Sequence, residues 1–393
     1  MSFSPPLLVL SASIGLFVYT YFGYPALLWI AGRLFPKPIA PGPSEPDWPH
    51  VSISVPAYNE EDQIEELIRS LLALDYRRDR LQILVISDAS SDATDDIVRR
   101  YAESGIELLR LEERGGKTKA ENAAAHHLTS DIIVNTDASI RIAPDALKPL
   151  ISVFRDPKVG CASGRDVSVG SEADAANVGE SGYVGYEMAV RNLETRVDGI
   201  VGASGCFYAI RKELHRLPLP ESLSRDFAAA LHTREHGFRP VSVAEAVCYV
   251  PRTPSLKKEY RRKVRTIARG MRTLWHKRAL LNPIRFGLFS WMLLSHKVFR
   301  WALPWGALAA TGALVAMATT NMFARIAVGV IAGVLVLALI GWVRSEDDRL
   351  PRVFSVPAYV IAGNVAAAHA LLRGLSGGRD ALWEPTRRQV VKG

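Results

Sequence analysis

A polar loop interrupts an apolar strand at "DIIVNTDASI", Asp131 to Ile140. Ile132, Ile133 and Val134 read as a buried strand, and Asn135, Thr136, Asp137 and Ser139 follow where that strand should end. A carboxylate at the carboxyl end of a buried strand, with a hydroxyl beside it, suits a hard divalent cation such as Mg2+ or Mn2+. Such an ion bridges to a diphosphate and neutralises charge on a leaving group. The plainer reading is a turn that caps the helix near "PDALKPL", for which Asp145 after Pro144 is the better cap. Two earlier apolar strands end in the same style. "VSISVPAYNEE" ends at Asn59, Glu60 and Glu61, and "LQILVISDASSD" ends at Asp88 and Asp92. Asp88 can accept from a base N–H or a ribose hydroxyl, or it can cap the helix that opens in "SSDATDD". Three strand ends delivering acids to one edge describe a site for a metal-bound, phosphate-bearing substrate.

Other groups join this list. "RGGKTK", Arg114 to Lys119, is half of a phosphate-binding loop, but Leu111 stands where the full pattern needs its first glycine, so nucleotide hydrolysis is not supported. Lys117 at a helix start can meet a phosphate or simply face water. In "LSRDFAAAL", Asp226 begins a helix, either as a general base for an acceptor hydroxyl or as an ordinary N-terminal acid. Residues 257–278 carry ten Lys or Arg and one Glu. Guanidinium forks at Arg262, Arg265 and Arg269 suit diphosphate oxygens. The place of this segment just before apolar stretches favours anionic lipid over nucleic acid as its other partner.

Strands and helices must bring these groups together. Residues 50–256 alternate apolar strands with amphipathic helices at 60–74, 92–103 and 117–128, which predicts an α/β domain with a doubly wound, mostly parallel sheet. Ahead of it lie an apolar stretch within residues 1–35 and a stiff linker, 36–49, with six prolines. Residues 6–32 carry no charged side chain and place Tyr19, Tyr21, Tyr24 and Trp29 toward one end, as a membrane helix with an aromatic belt does. No basic region precedes them, which argues against a secretory leader. After the domain come the basic segment with an interfacial amphipathic helix, 257–300, apolar stretches at 302–320, 324–343 and 353–372 within 301–373, and a basic tail, 374–393. The chain is therefore expected to be a multi-pass protein of the lipid bilayer. The positive-inside rule places 33–300 in the cytoplasm, at an inner (plasma) membrane. Three spans after the domain would put the basic tail outside, so one stretch is expected to be re-entrant or interfacial. Three widely spaced cysteines among 393 residues make neither a disulfide framework nor a zinc cluster.

Taken in order, these segments resemble the inverting glycosyltransferases of family 2, the group of cellulose, chitin and hyaluronan synthases and bacterial exopolysaccharide glycosyltransferases. "SVPAYNEE" resembles the first-strand motif, and "VISDASSDAT" resembles "VDDGSTDGT" with Ser87 and Asp88 on its acidic pair. "GGKTKAENAA" resembles "GKAxALNxG", and "DIIVNTDAS" the Asp-x-Asp strand. "GASGCFYAIRKEL", Gly202 to Leu214, resembles the acceptor-side glycine-rich segment. "SRDF" lies on Thr-Glu-Asp, and "RRKVRTIARG" on Gln-x-x-Arg-Trp. The resemblance implies a GT-A fold, a nucleotide-diphospho-sugar donor, a glycan or lipid-linked acceptor, and Mg2+ or Mn2+. It implies that Pro56, Tyr58, Glu60, Asp88 and Lys117 hold the donor, and that Asp137 and Ser139 lie at the metal. Asp226 would be the base of an inverting displacement. Arg262, Arg265, Arg269, Ser204 and Gly205 would lie near the diphosphate or the acceptor.

Three departures stand out. Ser139 replaces the second aspartate, Arg225 replaces the glutamate before Asp226, and Thr266 replaces the tryptophan of the last motif. The last leaves both polymer synthesis and single-sugar transfer open. Ser139 and Arg225 also leave room for a membrane sensor that binds sugar nucleotides without turnover. A transporter needs polar groups within its spans, where only Asn364 and His369 stand out. No G-x-G-x-x-G follows the first strand, which argues against a dinucleotide oxidoreductase.

Overall fold

The computed structural model describes residues 4–40, 48–169, 175–251, 255–345 and 350–375. Half of the proline-rich linker and nearly all of the basic tail lie outside the described residues.

Eight strands form one sheet: β1 (Val51–Ala57), β2 (Leu81–Ser87), β3 (Ile106–Arg110), β4 (Ile132–Thr136), β5 (Arg141–Ile142), β6 (Val159–Val169), β7 (Phe207–Arg211) and β8 (Arg239–Pro251). Their order is β3-β2-β1-β4-β7-β6-β8-β5. All run parallel except β7, antiparallel to β4 and β6, and β5, antiparallel to β8. The helices that concern the site and the membrane are α1 (Pro5–Leu34), α2 (Ile64–Leu72), α3 (Thr94–Arg99), α4 (Lys117–Ala124), α5 (Leu147–Ser152), α6 (Ala175–Val197), α7 (Arg225–Glu235), α8 (Leu256–His276), α9 (Leu288–Met317), α10 (Met322–Val343) and α11 (Arg352–Leu375).

The strands are apolar runs because both sheet faces are covered. Alternation then sends Ile83 and Val85 into one core cluster and Leu84 and Ile86 into the other. On α2, Ile64, Leu67, Ile68 and Leu71 repeat at helical spacing and are all buried. Each such side chain stabilises the fold by about 1.5–3 kcal/mol.

The strand order reverses at β1, which pairs with β2 on one side and β4 on the other. The β1–β4 pairing ends at Ser54 opposite Asn135. Pro56, which lacks a backbone donor, falls just beyond that point, where a missing donor disturbs no ladder between these two strands. A crevice at the carboxyl ends of two strands that part in this way is where open α/β sheets place ligands.

Several boundaries differ from expectation. The strand expected to stop near Val134 continues to Thr136, because Asn135 and Thr136 pair with Tyr208 and Phe207 of β7. The helix after Asp145 starts at Leu147 with Ala146 at its N-cap, so Asp145 does not cap it. Within 257–300, where an interfacial helix is expected, residues 288–300 instead form the first part of α9, which continues unbroken to Met317. Each of the three apolar stretches after the domain is a continuous helix, so no break marks one of them as re-entrant. With α1, they are the four described helices long and apolar enough to cross a membrane.

A buried polar knot joins two of these long apolar helices to the α/β domain. Tyr24 of α1 donates to Glu194 Oε1 of α6 at 2.6 Å, and His296 Nδ1 of α9 meets the same oxygen at 2.6 Å. His296 Nε2 lies 2.8 Å from Glu187 Oε1, and Glu194 is fully buried. The basic helix α8 packs along α11. Its Lys263 ammonium sits 3.8 Å over the Tyr359 ring, and Tyr260 meets His369 Nδ1 at 3.0 Å.

Candidate active site

Asp88 follows β2 directly and is 2% exposed. Its N–H donates to Ala57 O at the end of β1, 2.8 Å away. Its carboxylate accepts the N–H groups of Gly115 at 2.8 Å and Gly116 at 2.7 Å. Gly116 has φ of 87°, a conformation that side-chain-bearing residues rarely adopt, and it leads straight into α4. Ala93 is the N-cap of α3, and the nearby Thr94 N–H is taken by Asp92 at 3.0 Å, so Asp88 does not cap that helix and instead orders the glycine loop. Arg114 of that loop stacks 3.8 Å over the ring of Tyr58, just past β1. Glu60 is buried nearby, and its N–H donates to Thr94 Oγ1 at 2.8 Å.

Lys117, the first residue of α4, points across the crevice to the end of β4. Its ammonium donates to Asp137 Oδ1 at 2.5 Å and to Gly205 O at 3.3 Å. Burial alone would lower its pKa, but the carboxylates of Asp137, Glu121 and Asp226 outweigh burial and hold it above the ordinary lysine range. Ser139 is buried in the turn one residue beyond Ala138.

Asp226 lies in the first turn of α7, and its Oδ1 accepts the hydroxyl of the N-cap residue Ser224. Its Oδ2 lies so close to Gly205 that a Cβ there would come within 2.8 Å of it. Gly205 therefore touches both poles of the crevice, through Lys117 and through Asp226. Ser204 bonds both oxygens of Asp166 on β6, at 2.8 and 2.6 Å, and this shapes the turn ahead of β7.

The basic helix meets the site at one end. Arg269 donates to Leu223 O at 2.6 Å and to Thr118 Oγ1 at 3.0 Å, which clamps the loop before Asp226 onto α4. Arg262 makes two 2.7 Å hydrogen bonds with Glu259 one turn earlier on the same helix. Arg265 lies half-buried between them in sequence, within one helical turn of each.

The donor set around Asp137 fits a hard divalent ion. It offers a carboxylate that is 23% exposed, already bound to one cation, with a serine hydroxyl two residues on. Among the described residues, His232, Glu235 and His236 also form a metal-type cluster at the C-terminal end of α7. There the Lys277 ammonium lies 2.6 Å from Glu235 and 3.3 Å from His232 Nδ1.

Two groups escaped sequence reading. Asp166 sits mid-strand in "GRDVSV", where a lone acid is the signal. Glu121 lies in "KAENAA", one turn after Lys117, fully buried; burial lifts its carboxyl above the ordinary range against the pull of Lys117 and Arg225.

The family model described as glycosyl transferase family 2 matches residues 52–216. An N-acetylglucosaminyltransferase from Bradyrhizobium elkanii is 30% identical over 124 residues, 30% of this chain and 68% of that protein. A beta-monoglucosyldiacylglycerol synthase from Trichormus variabilis is 28% identical over 169 residues, 42% of this chain and 36% of its own. Several other curated relatives are likewise matched over only 30 to 39% of their length. Among solved structures, a mannosyltransferase from Pyrobaculum calidifontis in complex with GDP-Man and Mn2+ is 26% identical, with TM-score 0.69 over 93% of this chain and 99% of that one. The doubly wound sheet with its antiparallel β7 is thus the GT-A fold.

Proposed function

Because the chain belongs to glycosyltransferase family 2, we propose that it moves a sugar from a nucleotide-diphospho-sugar, a UDP-sugar by our reading, to a glycan or lipid-linked acceptor at the cytoplasmic face of a membrane. The observation that carries this reading is the contact of Gly205 with both Lys117 and Asp226, which sets a cationic pole and a carboxylate at two sides of one residue.

The donor diphosphate lies by the Lys117 ammonium, with Asp88, the glycine loop, Tyr58, Pro56 and Glu60 holding the nucleotide. The acceptor hydroxyl lies by Asp226. Asp226 takes its proton as the oxygen attacks the anomeric carbon from the side opposite the diphosphate. The bond from that carbon to the diphosphate oxygen breaks, and configuration inverts. Lys117 stabilises the charge that collects on the departing diphosphate, in a setting where burial strengthens the interaction. Asp137, with Ser139, would hold the divalent ion. Mg2+ or Mn2+, when bound, neutralises diphosphate charge.

The test is a panel of nucleotide sugars offered to the purified protein with Mg2+ or Mn2+, reading released nucleotide and transferred sugar. Asp226→Asn is expected to lower transfer by at least about 100-fold with little change in donor affinity. Undiminished transfer by that variant would remove Asp226 as the base.

A further inference from the structure

Arg225 stands directly before Asp226, where the resembled motif has a glutamate, and its guanidinium turns inward. It donates to Asn122 Oδ1 and, at 2.5 Å, to His215 O, while its Nε lies 3.8 Å from Glu121 Oε2. The Arg225 side chain is 7% exposed and that of Glu121 is 0% exposed. Neither carboxylate oxygen of Glu121 has a hydrogen-bond partner among the described residues. Behind the pair is a small cavity lined by Tyr208, His215, Arg225 and His232, with space for about one water.

A fully buried carboxylate without hydrogen bonds opposes folding unless a cation faces it. Arg225 of the base helix does so here, its Nε 3.8 Å from Glu121 Oε2. The register of "GKTKAENAA" on "GKAxALNxG" puts Glu121 on a leucine. One exchange therefore accounts for two departures: the acid has left the residue before Asp226 and reappears on the helix opposite.

We propose that Glu121 and Arg225 form one positioning unit for the transfer reaction, with Glu121 supplying from α4 the acidic neighbour that the base helix lacks. Arg225, held by Asn122 and His215, pins the first turn of α7, where the Asp226 carboxylate must stay against Gly205. Glu121 faces Arg225 from α4, the helix that opens with Lys117, so the pair ties the base helix to the facing side of the crevice. The two ends of the reaction are thus set against each other through a buried pair that touches no substrate. This rests on the reading of Asp226 as the base.

The test is a double-mutant cycle in the full-length purified protein with E121Q, R225M and both together, reading kcat, donor KM and thermal unfolding midpoint. Each single change is expected to lower kcat by about tenfold or more with donor KM within about twofold, and the double variant is expected to be no slower than the worse single. In R225K, lysine keeps the charge but loses the fork to Asn122 and His215, so kcat falls by about threefold at an unchanged midpoint. This variant decides the matter where E121Q or R225M does not fold. Wild-type kcat in E121Q or R225K, or losses that multiply in the double variant, would overturn the proposal. D226N is measured alongside: full transfer by it removes the base, whereas the coupling of Glu121 to Arg225 is read from the cycle in either case.

Discussion

The Lys117 ammonium joins Asp137 at the end of β4 to the Gly205 carbonyl ahead of β7, so a single cation spans the junction of the parallel and antiparallel parts of the sheet. A leaving diphosphate placed there meets a charge that three carboxylates already hold in its protonated form. Lys117→Met removes a charged hydrogen-bond donor worth about 1.5–3 kcal/mol and is expected to raise donor KM by roughly tenfold or more. Nucleotide release measured against donor concentration checks this, and an unchanged KM would place the diphosphate elsewhere.

Gly205 leaves no room for a side chain. A Cβ would stand 2.8 Å from Asp226 Oδ2, so Gly205→Ala must push the carboxylate aside. A displacement of that size is expected to slow transfer by about 10- to 100-fold while the unfolding midpoint changes little. Gly205→Ala with wild-type kcat would show that the Asp226 carboxylate does not need its observed position.

The knot around Glu194 makes a separate prediction about stability. Glu194→Ala leaves Tyr24 and His296 without their shared acceptor in the interior. Loss of one member of a buried polar network costs roughly 3–5 kcal/mol. The variant is expected to unfold at a clearly lower temperature in detergent, and its catalytic domain is expected to become protease-sensitive at the junction with α1. An unaltered midpoint would mean that the knot does not couple the two parts.

His232 predicts a pH dependence. Burial and the nearby Lys277 ammonium lower its pKa from 6.5 to about 4. As pH falls below about 6.5, the unfolded chain takes up this proton while the folded chain does not. Stability is therefore full above that pH and declines between about 6.5 and 4, by on the order of 2 kcal/mol at about pH 5. His232→Gln should flatten this part of the unfolding-midpoint curve from pH 7.5 to 5, and a curve as steep as that of the wild type would assign the loss to other groups.

Local patterning made much of this protein legible in its sequence. Apolar runs broken by Asp88 and Asp137 mark β2 and β4 and their ligand-bearing ends, because burial on both faces and sudden polarity are properties of a few adjacent residues. Long uncharged stretches mark the membrane helices for the same reason. Pairings between distant segments were not legible. Asn135 and Thr136 look like loop residues until β7 pairs with them from 70 residues away in the chain. Arg262 and Arg269 share one motif, but the first turns to Glu259 and the second to the base loop, a choice set by how α8 packs against α4 and α11. Arg225 read as a lost acid, and only the facing helix shows where an acid went. The sequence by itself determined which side chains stand at the strand ends. The tertiary structure decided which of them meet, because strand order and helix packing bring together charges whose separation along the chain carries no trace of their separation in space.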